Sequence, residues 1–173
     1  MKWYYTLFFI FVVILFALTV YKNIVPQTYD SNGILFNYPG TWGELSKNPS
    51  SENHTSSKNI VAVGDPNSGQ NGNIIVLVQR TNQSGTLDEI VAASKADLEK
   101  DWQAKILSDN IITVDGQRAH DFIYLTNTSK EERTVIFTKN NIVYSIILGS
   151  DTSAFDSQKN KFDLIVNSFK VKS

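Results

Sequence analysis

The sequence predicts an α+β fold: an antiparallel β-sheet flanked by helices, preceded by one N-terminal transmembrane helix. Three observations predict it. An apolar run fills residues 3–21, β-branched and aromatic runs after it are joined by short turn signals, and only two later stretches carry helical periodicity. The chain has 173 residues, no cysteine and a formal net charge of −1. Setting aside Lys2 and Lys22 leaves 14 basic against 17 acidic residues, so residues 23–173 carry about −3 and give no basic footprint for nucleic acid. A length of about 150 residues is enough for one domain with a real core. The lack of cysteine excludes disulfides, Cys-ligated zinc, iron–sulfur clusters and thiol nucleophiles.

Residues 3–21 (WYYTLFFIFVVILFALTVY) are bounded by Lys2 and Lys22. As a helix they span roughly 28 Å, close to a hydrocarbon thickness of about 30 Å. Trp3, Tyr4 and Tyr5 at one end and Tyr21 at the other resemble interfacial aromatic belts. A cleaved signal needs small residues before its cleavage site, and Ala17-Leu18-Thr19 meets that need poorly. The expectation is a retained single-pass anchor in the cell membrane, with a secreted protein as the alternative. Lys2 and the α-amino group favour a cytoplasmic amino terminus, which places everything after Lys22 outside. The organisation expected is residues 1–22 as membrane anchor (or signal peptide), 23–28 as tether and 29–173 as the folded domain. Three glycosylation acceptor patterns begin at Asn53, Asn82 and Asn127, all in expected loops.

Asn32-Gly33 supplies the positive φ angles of a tight hairpin turn, and Ile34, Phe36 and Tyr38 after it alternate onto one buried face. Pro39-Gly40 ends that strand, and Trp42 is expected to fold back over the sheet edge with its polar handle. Residues 48–59 (NPSSENHTSSKN) read as an exposed loop, 60–63 as a short strand and 65–72 as a loop. Residues 73–80 (NIIVLVQR) read as a central strand covered on both faces. Thr86 and Glu89 form a capping box, and Leu87, Ile90, Val91, Ser94, Leu98 and Trp102 make one helix face. That face is expected to bury Trp102, so that Trp102→Ala destabilises the domain. Strands follow at 111–114 and 118–125, joined at Asp115-Gly116, and at 133–138 and 142–148, joined at residues 139–141. A last helix, capped within residues 151–153, aligns Phe155, Phe162, Ile165 and Val166, and Phe169 and Val171 leave it as a final strand.

The order of motifs resembles a known family. Tyr29 followed by residues 36–42 (FNYPGTW), Asp115-Gly116-Gln117-Arg118-Ala119, and residues 162–171 (FDLIVNSFKV) are similar to the opening, central hairpin and close of PsbP-like domains. The nearest group in this resemblance is the membrane-anchored PsbP-related proteins of archaea. It implies an αβα sandwich on an antiparallel sheet, and a role of docking onto another protein rather than catalysis. The plant member is an extrinsic photosystem II subunit that helps retain calcium and chloride, and a related fold occurs in a nuclear-import factor that binds the GTPase Ran. No metal-binding residue of the photosystem protein is carried over.

The residues themselves carry no catalytic constellation. His54 sits in a serine-rich loop with Glu52 and reads as solvated. His120 shares a strand face with Phe122 and Tyr124 and reads as a partly buried histidine bonded to a neighbour. Asp115, His120 and Asp121 do not make a metal site, because His120 and Asp121 point to opposite faces. Asp65, Asn67, Asn71 and Asn73 around Gly69 and Gly72 read as turn chemistry rather than calcium ligands. Asp88-Glu89 and Glu131-Glu132 read as solvated charges at a helix start and a turn. No catalytic residue, metal or cofactor is expected. The function expected is a non-catalytic, membrane-anchored extracytoplasmic module, held by residues 3–21, that docks on a protein or envelope component. An envelope hydrolase and a carrier of a small apolar ligand are the alternatives. A grooved apolar patch with a polar rim favours docking, and a convergent cleft holding a histidine and perturbed carboxylates favours the enzyme.

Overall fold

The structure, a computed structural model, describes residues 3–46, 57–68 and 74–172. Helix α1 (Trp3–Ile24) precedes strands β1 (Gln27–Ser31), β2 (Ile34–Tyr38), β3 (Gly43–Ser46), β4 (Ser57–Gly64) and β5 (Ile75–Thr81). Helix α2 (Leu87–Trp102) leads to β6 (Lys105–Val114), β7 (Gln117–Leu125), β8 (Lys130–Lys139) and β9 (Ile142–Asp151), then α3 (Thr152–Ser168) and β10 (Lys170–Val171). All described pairings are antiparallel. The strands form two sheets, one of three in the order β1-β2-β10 and one of seven in the order β3-β4-β5-β9-β8-β7-β6.

The small sheet and α3 cover one face of the large sheet, and α2 covers part of the other. On the α3 side, Phe36, Trp42, Phe137, Phe155, Phe162 and Phe169 are fully buried in one core. Phe169 stacks on Phe36 at 5.8 Å and meets Phe137 edge-on at 5.7 Å, so the C-terminal segment is locked between the sheets. On the other side Ile90 and Val91 of α2 pack against Phe122, Tyr124, Ile136 and Val143. Short turns hold the hairpins: Asn32 and Gly33 have φ of 53° and 78°, Asp115 and Gly116 of 50° and 76°, and Asn140 and Asn141 of 54° and 60°.

The strand registers give the domain two ends. At one, Gln27 Nε2 donates to the carbonyls of Gly40 and Trp42, and the row Gly43–Gly64–Ile75–Gly149–Glu132–Tyr124 runs across the large sheet. Trp102 and the Thr126–Lys130 turn lie at this same end, since the Asn127 N–H donates to the Trp102 carbonyl. At the other end the turns at Asn32-Gly33, Asp115-Gly116 and Asn140-Asn141 gather. The Lys172 N–H donates to Gly33 O, and the Asp115 carboxylate takes the Val171 N–H and Lys139. Helix α1 ends only two residues, Val25 and Pro26, before β1, at the first of these ends.

Several expectations are corrected. The strand expected at residues 111–114 starts at Lys105: Ser108, Asp109 and Asn110 mask the alternation because β6 is an edge strand with much of both faces exposed. Strand β3 gave no pattern of its own, being four residues of GELS. Glu131 and Glu132 lie on β8 rather than at a turn. Within residues 23–28 the helix continues through 23 and 24 and β1 takes 27 and 28, with Val25 and Pro26 between them. Of the loop expected at residues 48–59, 57–59 belong to β4, while the rest of it, with Glu52, Asn53 and His54, lies outside the described residues.

Candidate functional site

On β5 the side chains alternate: Val76 and Val78 are fully buried, whereas Ile75, Leu77 and Gln79 on the opposite face are only half-buried. The expectation of cover on both faces therefore fails. The reason is the placement of α2, which packs over β7, β8 and the Val143 end of β9 and leaves Ile75, Leu77 and Ile147 uncovered. The neighbouring strand repeats the pattern, because Leu77 pairs with Ile147 and Ile75 with Gly149. An apolar strip of the sheet is left open beside the helix.

This strip is a groove of about 490 Å³. Ile75, Leu77 and Ile147 make its floor, Leu98 and Trp102 of α2 its wall, and Tyr124, Thr126, Lys130 and Glu132 its rim. A second hollow of about 510 Å³ continues it along α2 and shares Gln79, Leu98, Trp102, Tyr124 and Ile147. Trp102 is 58% exposed, which overturns its expected burial. Ile90 and Val91 near the start of α2 point into the core, whereas Trp102, the last residue of the helix, stands at the groove's edge. The Tyr124 hydroxyl donates to Glu132 Oε2 at 2.5 Å, so Glu132 is a bonded rim group rather than a solvated charge. Burial, with Glu132 beside it, pushes the Tyr124 phenol well above its ordinary pKa and keeps it a neutral donor.

The other charged residues are tied into the fold. His120 is buried on the α2 face with Phe122 and Tyr124, as expected, and its Nε2 lies 2.7 Å from Asp88 Oδ1 and its Nδ1 3.3 Å from Asp109 Oδ1. Arg118 bonds Asp88 at 2.8 Å, and Lys95 bonds Asp109. Asp88 is held below the usual carboxylate range by Arg118 and then His120. Burial would raise Asp109, but the bonds from Lys95 and His120 outweigh it and hold that carboxyl low as well. This network pins α2 to β6 and β7. Asp88 is therefore an ion-pair member and not a free charge, while Glu89 closes the capping box with Thr86.

Asp121 points to the opposite face, where Arg133 grips it through two bonds of 2.8 and 2.7 Å and reaches Asp163 of α3 at 2.7 Å. His120 and Asp121 thus do not converge, and Asp115 is bound to Lys139, Lys170 and the Val171 N–H. Among the described residues no group of three or more His, Asp or Glu side chains is arranged to hold a metal ion. The Asp65 carboxylate accepts the Asn67 N–H at 2.9 Å, a local turn bond, and Asn71 and Asn73 lie outside the described residues. Asn82 and Asn127 are exposed in loops, Asn82 beside a polar hollow of about 650 Å³ with Gln83, Gln117 and Asn140. Trp42 is the plug expected of it, 2% exposed, but its indole N–H has no partner among the described residues.

The groove could not be read from the chain alone. The weak signal is the mismatch between the apolar run Ile74–Val78, which leads into and fills the first half of β5, and a helix whose apolar face is too narrow to cover it.

A sequence profile of the family described as PsbP-like protein matches residues 21–171. The fold is similar to the solution structure of cyanobacterial PsbP (CyanoP) from Synechocystis, with a TM-score of 0.63 and 18% identity over 84% of this chain and 92% of that one. It is also similar to LpqN of Mycobacterium tuberculosis, described as involved in cell envelope biogenesis, with a TM-score of 0.56 and 12% identity over 86% and 90% of the two chains. PA94 of Pseudomonas aeruginosa, a protein of unknown function, gives 0.55 and 14% over 80% and 91%. No curated relative matches the sequence.

Proposed function

The chain belongs to the PsbP-like family, and from that premise we propose that it is a membrane-anchored, non-catalytic accessory module that binds an envelope component through the groove beside α2. The single observation that carries this reading is the open apolar strip of Ile75, Leu77 and Ile147 walled by an exposed Trp102. A contiguous apolar surface with a polar rim is what a binding face presents, and a large exposed aromatic at its edge suits an anchor contact. Helix α1 supports the tethering: residues Trp3–Tyr21 are long and apolar enough to cross a membrane, and none of that span is buried. The His120 network brings a histidine to two lowered carboxylates, but it lines none of the hollows described above and its carboxylates are engaged in ion pairs that fasten α2 to the sheet, which supports a structural role. CyanoP and LpqN, alike in fold, suit an extracytoplasmic accessory role.

The test is a photo-crosslinking residue placed at position 102 of the full chain in its native membranes, compared with one at Asn160, exposed on α3. A light-dependent adduct is expected at position 102 and little at 160. Equal labelling at both, or none at 102, would overturn the groove as the binding face.

A further inference from the structure

We infer that the occupant of the groove is an acyl chain of a phospholipid in the bilayer that holds α1. This rests on the reading of α1 as an anchor and of the groove as the binding face, and adds the chemistry of the ligand.

Connectivity sets where the groove stands. The helix runs three residues beyond Tyr21 and reaches β1 through Val25 and Pro26 alone. At 1.5 Å per helical residue and at most about 3.6 Å per extended one, Gln27 lies within roughly 16 Å of the end of the apolar span. Gln27 is itself fastened to Gly40 and Trp42, so the Gly43 end of the large sheet is the end next to the membrane. The row from Gly43 through Gly64, Ile75 and Gly149 crosses that end, three strand spacings or about 14 Å from edge to groove. Ile75 and Gly149 are groove residues. The groove mouth therefore opens at the membrane-side end of the domain, and its length runs along the strands away from the bilayer.

The chemistry agrees with the position. A volume of about 490 Å³ falls in the range of small-ligand sites, roughly 300–1,000 Å³. The floor is aliphatic, as a methylene chain needs. Trp102, exposed at the membrane-side end of α2, is the residue type that settles at membrane interfaces. Lys130 on the rim, with no ion-pair partner among the described residues, offers an ammonium to a lipid phosphate, while Glu132 is already occupied by the Tyr124 hydroxyl. A bilayer lipid needs to raise one chain by at most roughly 16 Å to reach the mouth.

The full chain reconstituted in phosphatidylcholine–phosphatidylglycerol vesicles, with a small share of phospholipid carrying a diazirine at mid-chain, tests this. After illumination and digestion, labelled peptides are expected from α1, which serves as an internal standard, and from residues 74–80 and 95–102. Trp102→Glu and Leu77→Gln should each cut the groove label by about tenfold relative to the α1 label, because a polar group is desolvated against the chain. Trp102→Glu alters an exposed side chain and keeps the test valid if Leu77→Gln fails to fold. Label confined to α1, or groove label that neither variant reduces, overturns the inference. A protein adduct at position 102 in native membranes without lipid label removes the acyl chain and leaves the binding face standing; loss of both signals removes both.

Discussion

Two aromatic residues on the α2 side show how placement decides energetics. Phe122 is fully buried under α2, and truncating such a ring costs roughly 3–5 kcal/mol. Trp102 is more than half exposed, so Trp102→Ala is expected to move the denaturation midpoint by no more than about 0.5 kcal/mol while Phe122→Ala shifts it strongly. Equal losses in the two variants would mean that Trp102 is core. Arg133 is the corresponding polar case. It lies over the Phe162 ring at 4.8 Å, grips Asp121 through two bonds and reaches Asp163. Arg133→Ala leaves Asp121 buried without its partner and is expected to cost about 3–5 kcal/mol by urea denaturation. Arg133→Lys should recover only part of this, since an ammonium does not reproduce the two-point grip.

At the scale of elements, Asp115 joins three segments: its own turn between β6 and β7, Lys139 at the end of β8, and the N–H of Val171 in β10. Burial would raise its carboxyl, but the bonds from Lys139, Val171 and Lys170 prevail and hold it below the usual range. A carboxyl lowered by folding contributes stability above its unfolded pKa of about 3.9, and that contribution is lost as the pH falls through the folded value. Asp115→Asn should therefore cost about 1–2 kcal/mol at pH 7. The gap from the parent should narrow below about pH 5 and close once the Asp115 carboxyl is protonated in both the folded and the unfolded state. Denaturant midpoints across this range measure it, and a gap independent of pH would show that the ion pairs contribute nothing. The capping box of Thr86 and Glu89 is simpler, since both bonds lie within four residues and were legible from the spacing.

For the whole molecule, both cores are built from residues after Tyr21, and the apolar span of α1 is buried against nothing. Residues 23–173 are thus expected to fold without the anchor into a soluble, metal-independent monomer, with circular dichroism unchanged by a chelator. The full chain should expose its domain outside the cell: protease added to intact cells or right-side-out vesicles should remove it, and the untreated chain should keep its original amino terminus. A protected domain would place the groove in the cytoplasm, and a mature chain starting near Val20 would leave no anchor beside it.

The sequence by itself determined what depends on neighbours along the chain. The α1 span, the three turns with positive φ at Asn32, Asp115 and Asn140, the cap at Thr86 and the buried face of α3 were all readable, because periodicity, turn chemistry and capping act within a few residues. The opposed faces of His120 and Asp121 followed from the two-residue strand period. Only the tertiary structure decided the split into two sheets and the return of β10 across the chain to pair with β2. It also decided the ion-pair partners of His120 and Arg133, drawn from residues 11 to 32 positions away. The groove is the clearest such case. Whether Ile75, Leu77 and Ile147 are core or open surface depends on where α2 is laid across the sheet. That placement is set by the packing of Ile90 and Val91 against distant strands, so no local pattern encodes it.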